Sequence, residues 1–190
     1  MSLVALALIH HPVLGRQGEV LTTTITTLDL HDLTRSACTY GLERVYAVHP
    51  IEAQRCLAER IRSHWVEGTG RRRIPDRATA LELLRTVASL GDACRDLAPD
   101  AGRPGVELWT TAAHPRGAPP TSFVAARRRL AETERPVLLC LGTGWGLTDE
   151  LVADADLHLE PIRGASGSDY NHLSVRAAAA IALDRLLGVS

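Results

Sequence analysis

The stretch "LLCLGTGWGLTDE", from Leu138 to Glu150, decides how this chain is read. An apolar, strand-like run ends in a loop with glycines at positions 142, 144 and 146, and a helix is expected to start at Thr148. A glycine-rich loop between a strand and a helix lets the backbone come close to an anionic or polar ligand. Here that loop lies in the last third of the chain, and its position carries as much information as its composition.

Working outward from it, the spacing predicts five strands: Leu3–Ile9, Arg44–His49, Val106–Thr111, Pro136–Leu141 and Leu157–Glu160. They are continuous apolar runs more than alternating ones, as expected of strands covered on both faces. Helices are predicted between them. One carries Leu30, Leu33, Ala37 and Tyr40 on one face and closes at Gly41; a second runs from Glu52 to about Trp65. A third spans Ala78 to about Leu97, with Leu81, Leu84, Val87 and Ala88 as its core stripe and Gly91 as a point where it can break. Shorter ones cover Thr121–Ala131 and Thr148–Asp154, and the last runs from Asn171 to Leu187. The segments 66–77, 98–105 and 112–120 read as loops. Strands alternating with helices argue for an α/β fold with a mostly parallel sheet flanked by helices. A length of 190 residues suits one such domain, taken as 1–190.

All 21 basic residues are arginine, and the formal net charge is −1. So balanced a chain is no general magnet for nucleic acid, and any such contact must be a local patch. Two clusters qualify, Arg71, Arg72, Arg73 with Arg77, and Arg127–Arg129; short clusters of this kind are also ordinary solvated faces. The four cysteines are widely spaced, without a C-x-x-C pair, which fits reduced thiols in a cytoplasmic protein. No stretch reaches the roughly 20 apolar residues of a membrane helix. His10 and His11, with His31 or His49, do not form a ligand pattern, so no metal is expected.

Two common readings of the glycine loop fail on position. A dinucleotide-binding G-x-G motif, and the glycine loop of the ordinary Rossmann-like methyltransferases, both follow the first strand of their sheet. After Gly146 only one more strand and one long helix remain.

A third reading fits the late position. The chain resembles the SPOUT superfamily, in particular a branch of small bacterial RNA methyltransferases dependent on S-adenosylmethionine. The resemblance rests on "TTLDLHDLTRSACTYG" (26–41), "VYAVHP" (45–50), "LGTGWGL" (141–147) and "LEPI" followed by "SDYNHLSVRAAAAIALDRLLG" (159–188). It implies a C-terminal trefoil knot, which the usual rule against threaded connections would not suggest. It also implies that three loops wrap S-adenosylmethionine, and these map onto Leu141, Gly142, Thr143, Gly144, Gly146 and Leu147, onto Leu159, Glu160, Pro161 and Ile162, and onto Tyr170, Asn171, Leu173 and Ser174.

The residues are consistent with that mapping. The glycines allow close backbone approach, Leu147, Leu159 and Ile162 offer apolar walls, and Asn171 and Ser174 either cap the last helix or touch the ligand. Family members build the site at a homodimer interface with RNA, here tRNA or rRNA, as partner. The alanine face of 177–182 suits helix packing between copies or within one. Arg35 is the expected RNA-phosphate or acceptor-assisting residue, or else an ion-pair partner of Asp32. Asp169 is the candidate general base, or else a charge at a helix N-terminus. Members that methylate ribose carry an Asn-containing loop near the N-terminus; "HHPVLGRQGEVLTTT" has none, which leaves base methylation in front. A non-catalytic module that binds the cofactor or RNA, and a nicotinamide-dinucleotide binder, stand as alternatives.

Overall fold

The apolar run nearest the N-terminus forms the middle of the sheet. In the computed structural model, which describes residues 2–115, 117, 119–165 and 170–189, strand β1 is Val4–Ile9 and every residue of it is buried. Then follow a small hairpin of β2 (Val13–Leu14) and β3 (Val20–Leu21), helix α1 (Thr27–Thr39), β4 (Arg44–Val48), and α2 (Glu52–Val66). Next come α3 (Thr69–Arg73), α4 (Pro75–Leu81), β5 (Leu84–Val87), α5 (Leu90–Leu97), and β6 (Glu107–Thr110). The chain ends with α6 (Phe123–Glu132), β7 (Val137–Gly142), α7 (Asp149–Ala153), β8 (Leu157–His158) and α8 (Val175–Leu187).

The large sheet has the order β5-β4-β1-β7-β6-β8, and every pairing in it is parallel. Side chains alternate between its faces, as the two-residue period of a strand requires. Leu6 and Leu8 of β1 pack with α1, α6 and α8 through Leu33, Phe123, Leu130, Ala179 and Leu183. Ala5, Ala7 and Ile9 point the other way, toward Cys94 of α5 and Val152 of α7. A sheet covered on both sides explains why its strands read as unbroken apolar runs. The alanine stretch of α8 serves this core: Ala179 and Ala182 are fully buried, and the short side chains let the helix lie close to the sheet.

Three sequence expectations need correction. The helix predicted over 78–97 is three elements: α4 ends at Leu81, β5 forms the sheet edge, and α5 begins at Leu90. Leu84, Arg85, Thr86 and Val87 pair with Val45–Val48 of β4, a tertiary contact that outweighs their helix-like spacing. Ser89 then restarts a helix through a capping box with Asp92. The presumed loop 66–77 carries α3 and the start of α4, with Pro75 preset for a first helical turn. The last helix also starts later than expected, at Val175, because the Ser174 hydroxyl accepts from the Ala177 amide and fixes the cap there. All four cysteines are free thiols. Among the described residues no helix is long and apolar enough to cross a membrane.

Candidate active site

In an open parallel sheet, ligands bind beyond the carboxyl ends of the strands. Here β1, β6 and β7 end together, and the glycine loop leaves β7 at that edge. Its shape is set by the β2–β3 hairpin. The Trp145 amide donates to the Leu14 carbonyl at 2.8 Å, and the Leu14 amide donates to the Gly146 carbonyl at 2.9 Å. The Thr143 amide reaches the Ile9 carbonyl at 3.2 Å, and the Gly146 amide the Thr143 carbonyl at 3.0 Å. Gly144 and Gly146 have φ of +59° and +107°, a region that L side chains rarely adopt. A Cβ on Gly144 would lie 2.8 Å from the Leu14 carbonyl oxygen. These glycines therefore turn the loop under the hairpin, and the amides of Thr143, Trp145 and Gly146 are occupied by protein carbonyls. At Gly144 the close backbone approach that glycine allows is made to the hairpin.

Beside this loop opens a cleft of about 740 Å³. Of the residues that sequence pointed to, Leu141, Gly142, Thr143, Gly144, Gly146, Glu160, Ile162, Asn171, Leu173 and Ser174 line it. The structure thus brings to one cleft the segments around 142–146, 160–162 and 171–174, which are separate in sequence. Asn171 donates from Nδ2 to the Ala113 carbonyl at 2.6 Å and so ties the last loop to the segment after β6. The Glu160 carboxylate accepts from the Phe123 amide at 2.9 Å, at the start of α6. Leu147 and Leu159 lie in the core behind the wall. Pro161 is absent from the cleft lining, and Tyr170 stands exposed at its mouth. Arg35 is exposed on α1 and does not line the cleft; its expected partner Asp32 accepts instead from Arg176 Nε at 3.3 Å. Asp169 lies outside the described residues.

Several wall residues went unassigned in the sequence. Trp145 sits inside the quoted glycine motif, and Asp29 inside the quoted first-helix motif, but no spacing rule marks either. Asp29 is nearly buried, accepts from Arg176 of α8 at 3.0 Å, and takes the Thr26 hydroxyl at 2.5 Å. That pair joins α1 to α8 across one side of the cleft. Val175 and Ala178 of α8, with Phe123, add apolar surface.

Behind the polar end is a buried histidine pair. The rings of His10 and His49 have centroids 5.7 Å apart. His49 Nδ1 accepts from the Ile51 amide at 3.1 Å, which puts its proton on Nε2, 3.0 Å from the Thr23 carbonyl. His10 Nδ1 meets the Thr23 hydroxyl at 3.0 Å, and that hydroxyl meets Thr143's, both on the cleft wall. Thr143 Oγ1 donates onward to the Ile9 carbonyl at 3.0 Å. The chain of donors then runs consistently if His10 carries its proton on Nδ1, leaving Nε2 bare, buried and without a partner. Burial, reinforced by His49 and opposed by Asp29, holds the His10 pKa down at about 4, so the ring is neutral at pH 7. Among the described residues no group of three His, Cys, Asp or Glu side chains is placed to hold a metal.

The two arginine clusters stand away from the cleft. Arg71 pairs with Glu82 at 2.8 Å, Arg77 lies over the Trp65 ring, and Arg129 pairs with Glu107 at 2.9 Å.

The parallel sheet, with its cleft at the carboxyl ends of the middle strands, is a fold that this chain shares with solved methyltransferases. A probable methyltransferase of Bordetella pertussis superposes with a TM-score of 0.63 at 19% identity, covering 97% of this chain and 94% of that one. The SpoU methyltransferase AviRb of Streptomyces viridochromogenes, in complex with AdoMet, gives 0.54 at 15% identity over 98% of this chain and 59% of its own. A family model described as SAM-dependent RNA methyltransferase matches residues 3–188, and the chain belongs to that family. A tRNA (guanine-N(1)-)-methyltransferase of Oleidesulfovibrio alaskensis is 43% identical over 182 residues, 96% of this chain but 41% of its own length. An uncharacterized protein of Aquifex aeolicus is 38% identical over 184 residues, 96% of this chain and 87% of its own. The chain thus spans about two fifths of the Oleidesulfovibrio relative.

Proposed function

We propose that this protein transfers the methyl group of S-adenosylmethionine to a base of RNA, and that the acceptor is N1 of a guanine in tRNA. The observation that carries the reading is the convergence of 142–146, 160–162 and 171–174 on one cleft in a chain of this family. The guanine assignment rests on the activity for which the Oleidesulfovibrio relative is named and on the absence of an Asn from 10–24, where ribose methylators carry one.

The cleft fits the cofactor. Its volume lies within the usual range for small-molecule sites. Leu141, Ile162, Val175 and Ala178 supply apolar walls for an adenine, while Thr143, Asn171 and Glu160 supply polar edges for ribose and amino acid groups. When bound, S-adenosylmethionine supplies an electrophilic methyl on a sulfonium. The protein's part is to hold the acceptor atom in line with that methyl and to keep water out. Guanine N1 carries a proton that must leave, and Asp169, between Ile162 and Asn171 in the sequence, is the proposed acceptor of it. Arg35, exposed on α1, is assigned to RNA phosphate. We also infer the trefoil knot of the SPOUT superfamily in the C-terminal segment, and a homodimer in which a second copy completes the site.

Calorimetric titration with S-adenosylmethionine, with NAD as control, is the direct test. Micromolar binding of the former alone is expected; binding of NAD alone would overturn the proposal. Labelled methyl transfer to tRNA, followed by nucleoside digestion, should give 1-methylguanosine and be lost in Asp169→Asn. Cofactor binding without transfer would mark a non-catalytic module. Light scattering should give about twice 20.5 kDa; a monomer would remove the shared-site model.

A further inference from the structure

At the mouth of the cleft four rings from three loops come together. His172 is the hub: its ring centroid lies 5.8 Å from that of Trp145, 5.3 Å from Tyr170 and 6.3 Å from His114. Trp145 comes from the glycine loop, His114 from the segment after β6, and Tyr170 with His172 from the segment before α8. All three contacts are edge-on, with planes inclined at 63° to 76°. In an edge-to-face pair one ring turns its edge toward the other, so each contact covers at most one face of one ring and leaves the opposite face open. Trp145 is 56% exposed and Tyr170 is 76% exposed.

Leaving a tryptophan half uncovered forgoes the apolar burial that normally holds such a side chain inside. The arrangement is not a loose end, since Trp145 is fixed through its amide to Leu14 and the segment beside His172 through Asn171 to Ala113. Trp145, His114 and His172 also line the cleft itself, so the open ring faces adjoin the ligand space. Arg163 is exposed directly after Ile162 of the same wall. Proteins that read RNA do so mostly on unpaired bases, which stack on aromatic and histidine rings while arginines hold the phosphates.

We propose that Trp145, Tyr170, His172 and His114 form a stacking platform for an unpaired base of the RNA substrate, next to the methyl donor's pocket. The proposal rests on the methyltransferase reading above and adds to it the state of the acceptor: a nucleotide splayed out of its helix, in a loop or at a bulge. It explains why a residue so large as Trp145 stands between two glycines of the loop, where backbone approach alone would ask for a small one. Of the three tryptophans, Trp109 is fully buried and Trp65 is packed against His31 and Arg77, so quenching that is lost in Trp145→Ala is the optical signature of stacking at Trp145.

The test uses the full chain and two probes, a 12-nucleotide single-stranded RNA of mixed sequence and the corresponding duplex. RNA affinity is read by anisotropy and by quenching of tryptophan emission, and S-adenosylmethionine affinity by calorimetry on the same samples. The single strand is expected to bind more tightly than the duplex and to quench the emission. Trp145→Ala and His172→Ala should each weaken single-strand binding by about 5- to 150-fold, the range for one stacked base. Trp145→Phe should recover most of that loss, and far-ultraviolet circular dichroism should show all variants folded. Equal affinity for the duplex, or unchanged RNA affinity in the folded alanine variants, would overturn the platform. So would a loss confined to S-adenosylmethionine, which would make these rings part of the cofactor pocket. Failure of the unaltered protein to bind S-adenosylmethionine would instead sink the methyltransferase reading, while the RNA arm still decides the platform.

Discussion

Acidification from pH 7.5 to 4.5 should destabilise this protein in a window set by His10. The ring is fully buried and its pKa is about 4 against an ordinary 6.5. Between those values the unfolded chain binds a proton that the folded chain refuses. Stability is therefore full above pH 6.5 and falls as the pH drops toward 4. At about 1.4 kcal/mol per tenfold change in proton affinity, the loss approaches about 3 kcal/mol. His49 and His31 have pKa values lowered mainly by burial and act in the same direction. Glu107 does not interfere, because its contribution is lost only as the pH falls below its ordinary 4.5 toward about 2. His10→Asn isolates the effect, since an asparagine amide can keep the donor to Thr23 without titrating. Urea unfolding of both proteins at pH 7.5, 6.5, 5.5 and 4.5 gives the comparison. The stability difference between variant and wild type should shift by about 2 to 3 kcal/mol in favour of the variant across that range. A difference constant to within about 0.5 kcal/mol would refute the assignment of a neutral, buried His10. Because Thr23 and Thr143 link that ring to the cleft wall and the folded ring stays neutral down to about pH 4, S-adenosylmethionine affinity of the folded wild type should hold through that window and weaken only toward pH 4, and that of His10→Asn should not weaken there.

Two other substitutions probe the frame around the site. Arg176→Ala leaves the Asp29 carboxylate, whose side chain is only 10% exposed, without its cation; a cost of about 1–3 kcal/mol is expected. A double-mutant cycle with Asp29→Asn should show coupling of about 1 kcal/mol or more, and strict additivity would deny that the pair joins α1 to α8. Glu107 is buried on β6, and burial alone would raise its pKa. Hydrogen bonds from Arg129, Thr133 and Trp109 outweigh that and hold it at about 2. Glu107→Ala leaves the buried Trp109 Nε1–H without its acceptor and should cost about 1–3 kcal/mol in thermal or urea unfolding, and a cost below about 0.5 kcal/mol would show the network to be incidental.

How much was legible beforehand varies with the range of the forces involved. Helix caps at Thr148 and Ser174 are local, so their residues mark them, although the sequence alone placed the start of α8 too early. The edge strand β5 was hidden because Leu81, Leu84 and Val87 satisfy a helical period as well. Only the ladder to β4 settled it. Arg35 shows another side of this: its residue type suits phosphate, while its place outside the cleft lining and the capture of Asp32 by Arg176 from the far end of the chain depend on tertiary packing.

The sequence by itself determined the alternation of strands and helices, the both-sides-buried sheet, and the late glycine loop, because these follow from side-chain periodicity and from backbone preferences within a few residues. It also marked the three segments that meet at the cleft. Only the tertiary structure decided what the glycines do, since Gly144 is held small by the Leu14 carbonyl of a hairpin more than a hundred residues earlier. The same holds for His10, whose neutrality arises from burial, and for Trp145, His172, Tyr170 and His114, which share a cleft mouth through three separate loops. Burial, charge and ring contacts depend on distances in space, and those are set by packing rather than by any spacing along the chain.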